Sequence, residues 1–230
     1  TSRDIAGGWT EVTAGYVASA GPRCAFSQNT TKTFIGGAGG YAYKAKNITS
    51  AVSVIPGGDG SATTEDINDV HALGQTVVFA CDNNDLLVST NGGESVSLLT
   101  GPSVGDDLLS VRVVSPSGWF IGTSGGELFV TQDGGDTYAE VSLPGASAIT
   151  AITSIDFSID EPLVGYLSAS TAGSARVLRT VTGGRVWYND VAIGATPSNV
   201  GIAKVRACGV NQVAAIGEAA GSDGLLVVAR

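Results

Sequence analysis

Leu128-Phe129-Val130-Thr131-Gln132-Asp133-Gly134-Gly135-Asp136-Thr137-Tyr138 is the stretch on which the fold turns. An apolar run ends in a hydroxyl, a polar turn carries an acid and two glycines, and an aromatic residue follows three positions after the second glycine. Such a run predicts a strand, a tight turn and a returning strand. Working outward, Leu86-Leu87-Val88-Ser89-Thr90-Asn91-Gly92-Gly93, followed by Val96, repeats the plan. So does Val177-Leu178-Arg179-Thr180-Val181-Thr182-Gly183-Gly184, followed by Trp187. Short polar side chains hydrogen-bond their own turn, and glycine supplies backbone angles that other residues resist.

Thr131, Asp133, Gly135 and Tyr138 give the closest match to a known pattern, and the repeat resembles the Asp box, Ser-x-Asp-x-Gly-x-x-Trp, of the family found in sialidases, sortilin-type receptors and photosystem assembly factors. In the box of Ser89 and Gly93 the acid is replaced by Asn91, and in the box of Thr180, Gly184 and Trp187 it is replaced by Thr182. The resemblance implies a β-propeller in which the hydroxyl and the acid tie down turn amides while the aromatic packs beneath. These residues are accordingly expected to mark the fold and not a catalytic centre.

Fainter copies complete the series. Tyr41-Ala42-Tyr43-Lys44, with Lys46, Ile48 and the strand Ala51 to Ile55, keeps the strands but loses the box chemistry. Ser2, Asp4, Ala6 and Trp9 occupy box positions at the N-terminus, followed by the strand Trp9 to Val12. The strands missing in front of that copy stand at the other end, in Ile202 to Ala207, Gln212 to Gly217 and Leu225 to Ala229. Box starts at residues 2, 44, 89, 131 and 180 recur about every 46 residues. The expectation is an all-β, five-bladed β-propeller of four-stranded blades in a single domain, residues 1–230, with the N- and C-termini sharing one blade. Residues 1–14 would close that blade with 202–230, and box-bearing hairpins fall near 41–55, 86–99, 128–143 and 177–193. Innermost strands are predicted near Arg23 to Ser27, Asp69 to Leu73, Leu109 to Val114 and Ile152 to Phe157.

Composition agrees with a packed domain: 43% of the residues are hydrophobic, 14% are charged, and 33 glycines serve many turns. A net charge of −9 repels phosphate backbones and anionic membranes, so no nucleic-acid partner is expected. No apolar run reaches the roughly 20 residues needed to span a bilayer, and no leader pattern opens the chain, so no membrane insertion is expected. The compartment stays open between virion, cytoplasm and export with a removed leader. Cys24, Cys81 and Cys208 lack metal or redox spacing and read as small packed residues.

Chemistry is harder to find. The family resemblance makes sialidase the first enzyme to test, since such enzymes use converging arginines, a Tyr with a nearby acid and a further acid. Arg23, Arg112 and Arg206 fall on predicted innermost strands, but Arg112 and Arg206 lie one position apart in register and would project to opposite faces. His71, the only histidine, sits among Val70, Ala72 and Leu73 and reads as a packed or cavity-lining residue. Without it no Ser-His-Asp or Cys-His pair can be built. Glu65, Asp66, Asp69, Asp106 and Asp107 gather in the loops entering consecutive innermost strands, as a candidate face for a basic partner or a hard cation, although no calcium-loop spacing is present. Trp9, Trp187 and Trp119 are assigned to packing, which leaves few aromatics for sugar stacking.

Elimination therefore leaves a non-enzymatic scaffold or recognition module with no cofactor, presenting a rigid surface to a protein partner. A subunit of a large assembly such as a virus or phage particle is its most concrete form. A carbohydrate-binding propeller is the second reading and a sialidase-like glycoside hydrolase the third.

Overall fold

The computed structural model describes residues 15–46, 51–102, 105–172, 174–189, 201–209, 212–218 and 224–229. The predicted N-terminal box of Ser2, Asp4 and Trp9 lies outside them, as does the pairing of residues 1–14 with the C-terminal strands.

The described chain is a succession of antiparallel sheets, each made of neighbouring strands in chain order. The first contains β1 (Pro22–Asn29), β2 (Lys32–Gly37), β3 (Tyr41–Ala45) and β4 (Ser53–Asp59). The second contains β5 (Ile67–Leu73), β6 (Thr76–Cys81), β7 (Asp85–Ser89) and β8 (Ser97–Thr100). β9 (Leu108–Val113), β10 (Trp119–Thr123), β11 (Leu128–Thr131) and β12 (Ala139–Glu140) form the third. β13 (Ile149–Phe157), β14 (Gly165–Thr171), β15 (Ser174–Thr180) and β16 (Tyr188–Asn189) form the fourth. β17 (Gly201–Gly209), β18 (Gln212–Glu218) and β19 (Gly224–Ala229) make a three-stranded fifth. These positions match the strands expected from the repeat to within a few residues.

Each sheet packs its face on the next, which explains why the second strands are apolar without alternation. β6 is buried at every position because both its faces are covered. Phe34 and Ile55 meet Ile67, Phe79 and Leu87 between the first and second sheets. Val78 and Leu86 meet Trp119 and Ile121 between the second and third, while Phe120 and Leu128 meet Ile152, Phe157 and Trp187 between the third and fourth. Val164 and Tyr166 meet Ile202 and Val205 between the fourth and fifth. On the remaining face of the first sheet, Tyr16, Val17 and Ala20 cover Tyr43 and Val52.

Close approach requires small residues at one repeated place on the second strands of the first four sheets. A Cβ on Gly36 would fall 2.4 Å from Ile67 Cγ2, and one on Gly122 would fall 2.5 Å from Ile152 Cγ2. Fully buried Ala80 and Ser168 hold the corresponding ladder positions in the second and fourth sheets.

Bulges in the first strands control which side chains share a level. Ladder pairing shifts by one residue between Pro22 and Cys24, between Ile67 and Asp69, between Ile152 and Ser154, and between Ile202 and Lys204, and β9 has the same irregularity opposite Gly122 and Thr123. Beyond these bulges Phe26, His71, Arg112, Asp156 and Arg206 pair with equivalent positions on their second strands: Phe34, Val78, Phe120, Tyr166 and Ala214. The five side chains thus occupy one level. This corrects the expectation that Arg112 and Arg206 project to opposite faces: the bulge falls at the same place in each first strand, and the two arginines stand opposite equivalent second-strand residues, Phe120 and Ala214, so they share one register.

Candidate functional site

Residues from the first strands of all five sheets line one cavity of about 550 Å³, among them Phe26, His71, Arg112, Asp156 and Arg206. It opens at the C-terminal ends of these strands, where Leu73 and Ile159 stand at its mouth.

The polar residues there follow from an edge problem. A first strand bonds its second strand on one side only, so its outward N–H groups need acceptors. Side chains of the preceding first strand provide them. Asp69 Oδ2 accepts from Val111 N–H at 3.1 Å, and His71 Nδ1 accepts from Val113 N–H at 3.2 Å. Two sheets further on, Ser154 Oγ accepts from Val205 N–H at 3.2 Å and Asp156 Oδ2 from Ala207 N–H at 2.9 Å. Polar residues in otherwise apolar strands thereby stitch neighbouring sheets together.

Charge is concentrated on the same level. Arg112 Nη1 lies 2.7 Å from Asp156 Oδ1, with both side chains largely buried, and Arg112 Nη2 donates to the Phe157 carbonyl at 3.0 Å. Arg206, 57% exposed, approaches the same carboxylate oxygen only to 4.0 Å. Burial pushes His71 down to about 2, with the Arg112 and Arg206 guanidiniums acting in the same direction, so the ring is neutral throughout the physiological range. Because Nδ1 accepts a hydrogen bond, the ring proton sits on Nε2. His71 is therefore a neutral, cavity-lining group packed 4.2 Å from the Phe26 ring, unsuited to act as a base.

The acidic residues expected to form a partner or cation face lie at the other end of the first strands and are engaged separately. Asp66 pairs with Arg23 and accepts from Gly39 N–H at 2.8 Å. Asp69, within β5, receives Lys204 Nζ at 3.1 Å. Asp107 accepts from Asn83 N–H at 3.0 Å, Asp106 lies against Gly125, and Glu65 N–H donates to the Thr63 hydroxyl. Among the described residues no group of three or more His, Cys, Asp and Glu side chains could hold a metal ion. Arg23, the third candidate arginine, stays with Asp66 and does not join Arg112 and Arg206. No sequence motif marks Asp156 or Lys204. The available signal was a charged residue inside an apolar strand, as in Ile152-Thr153-Ser154-Ile155-Asp156-Phe157.

Three glycine turns share one bonding plan. The Thr131 hydroxyl accepts from Gly135 N–H at 2.9 Å and donates to Asp133 Oδ1, which takes Thr137 N–H at 2.9 Å. Ser89 and Asn91 do the same for Gly93 and Ser95, and Thr180 and Thr182 for Gly184 and Val186. Trp187 is buried with Nε1 donating to Gly184 O at 3.1 Å, while Tyr138 donates to Thr100 O at 3.3 Å. The turn after β3 departs from the plan. Lys44 pairs with Phe34 as Val88 pairs with Val78, which puts Ala45 and not Lys44 at the hydroxyl position. The box start read at residue 44 is thus one residue early, and the turn has no clasping hydroxyl there.

Hydrogen bonds from Thr137, by hydroxyl and N–H, and from the Thr131 hydroxyl hold the Asp133 carboxyl at about 2, below its ordinary 3.8. A depressed carboxyl stabilises the fold above its unfolded value and loses that contribution as pH falls toward about 2. Asp133→Ala is expected to lower the melting temperature at pH 7, with the difference from wild type shrinking below about pH 4. Differential scanning calorimetry across that range checks it, and an undiminished difference at pH 2 would count against the mechanism.

No protein-family model and no curated protein matches this chain. Solved structures do. YCF48 bound to D1 peptide superposes on 87% of this chain with a TM-score of 0.64 at 12% identity, the match spanning 61% of that chain. The GH74 xyloglucanase from Xanthomonas campestris matches 96% of this chain with a TM-score of 0.70 at 14% identity, spanning 37% of its own. Virginiamycin B lyase from Staphylococcus aureus, solved with quinupristin, matches 91% with a TM-score of 0.64 at 12% identity. Likeness at this identity is one of fold: the chain has a β-propeller-like fold, which enzymes and binding proteins both use.

Proposed function

We propose that this chain is a non-enzymatic recognition module, a five-bladed Asp-box propeller closed by residues 1–14 beside β19, which binds a protein partner at the face bearing the cavity. A place in a larger assembly, such as a virus or phage particle, suits that role. The observation that carries the reading is the cavity rim. Ile159, 90% exposed on the connection between β13 and β14, and Leu73, 42% exposed, both line the cavity, while Leu163, 61% exposed on the same connection, lies beside Gly183. That connection is longer than the two-residue turns Thr30-Thr31 and Gly74-Gln75 at the corresponding places, and it holds two large apolar side chains in water. Exposed apolar groups around a cavity are a mark of a docking face.

Recognition is favoured over turnover because the ionisable groups of the cavity are already in use. His71 is neutral and bonded, and both oxygens of Asp156 have partners. The half-exposed Arg206 remains to meet an acidic group of the partner. YCF48, of like fold, was solved with a peptide bound, which agrees with a protein partner.

Sedimentation of the protein from its natural source tests the reading. Wild-type protein is expected in a particle much larger than a single chain, and Ile159→Asp is expected to release it while leaving the melting temperature unchanged. A free chain that turns over a polysaccharide would overturn the proposal.

A further inference from the structure

Three of the four lysines of this acidic chain, Lys32, Lys44 and Lys46, line one groove of about 700 Å³. They come from the start of β2 and the end of β3, and the opposite wall is the Gly92–Glu94 turn of the second sheet. Gly92, at φ 72°, brings its backbone in closely: a Cβ there would stand 3.0 Å from Lys32 Nζ. The one carboxylate in the lining, Glu94, meets Lys44 Nζ at 2.8 Å but is 74% exposed. An exposed pair of that kind is weak and exchangeable. The groove therefore has a surplus of two positive charges in a chain of net charge −9.

The local sequence points the same way. At the other three turns a hydroxyl clasps the glycine N–H, whereas here Ala45 holds that position and lysines stand on both sides of it. Proteins that abandon a stabilising local rule commonly do so at functional sites. Lysine ammoniums are point charges with rotatable donors, and several of them can converge on the oxygens of a tetrahedral oxyanion.

We propose that this groove binds a dianionic phosphate group, at a site separate from the five-strand cavity. The group comes either from a small phosphate monoester or from a phosphorylated residue of another protein. Titrating inorganic phosphate into the full chain at a pH well above its second ionisation, where it is dianionic, is expected to shift the amide resonances of Lys44, Lys46 and Gly92 saturably. Acetate at equal ionic strength should leave them in place. The Lys32→Ala/Lys46→Ala double variant is expected to weaken association roughly tenfold, and Glu94→Gln, which removes the competing carboxylate, to strengthen it roughly threefold. Because Glu94→Gln predicts a gain, it separates loss of the site from loss of folding. Tighter binding of a phosphoserine peptide than of phosphate assigns the group to a protein, and equal or weaker binding assigns it to a small molecule. Equal shifts with acetate, or unchanged affinity in both variants, would overturn the proposal.

Discussion

Replacing Asp156 by alanine is expected to lower the unfolding free energy by about 3–5 kcal/mol, the range for breaking one partner of a buried ion pair. The carboxylate does two jobs. Its Oδ1 faces Arg112 Nη1 at 2.7 Å and its Oδ2 takes the Ala207 N–H of the fifth sheet at 2.9 Å. Alanine would leave a guanidinium stranded at a place where burial already depresses its pKa and the Asp156 charge opposes that effect. It would also leave an edge N–H without its acceptor. Asp156→Asn separates the two contributions, since the amide oxygen can still accept from Ala207 while the charge is gone, and its loss should fall between wild type and alanine. Urea unfolding at neutral pH measures both. A loss under about 1 kcal/mol for alanine would mean that water solvates Arg112 far better than its burial implies.

Trp119→Ala is expected to cost a similar amount, about 3–5 kcal/mol, by leaving a cavity between the second and third sheets. Trp119 is 1% exposed and packs among Val78, Leu86 and Ile121. Its ring also reaches toward Gly135, where an added Cβ would lie 3.2 Å from Trp119 Cζ2, so the indole supports the glycine turn as well as the sheet interface. Trp119→Phe should cost much less. The indole N–H is buried without a hydrogen-bond partner among the described residues, so phenylalanine loses volume but forfeits no polar bond. Equal losses for alanine and phenylalanine in equilibrium unfolding would contradict this account.

The two residues differ in how readily the sequence shows them. Trp119 is assigned to packing from the sequence, and its place between sheets follows from strand order and hydrophobicity. Asp156 is a lone charge in an apolar strand, and nothing nearby in sequence names Arg112, 44 positions earlier, as its partner. Arg206 is visible in the sequence, but its shared register with Arg112 rests on the ladder pairing of each with its second strand, Phe120 for one and Ala214 for the other, which the sequence does not give. The same limit applies to the lysine groove: the loss of box chemistry near Lys44 was legible, but Lys32 and the Gly92–Glu94 wall come from a neighbouring strand and a neighbouring sheet.

Local chemistry sufficed for the strands, the glycine turns and their recurrence, because each depends on interactions within a few residues: a hydroxyl bonding an N–H four positions on, a glycine at positive φ, an apolar run bounded by turns. The tertiary structure decided which side chains share a level. Bulges reset the alternation of each first strand, and edge N–H groups recruit acceptors from the sheet before. The meeting of Arg112, Asp156 and Arg206, and the gathering of Lys32, Lys44 and Lys46, arise from that long-range register, which no local pattern encodes.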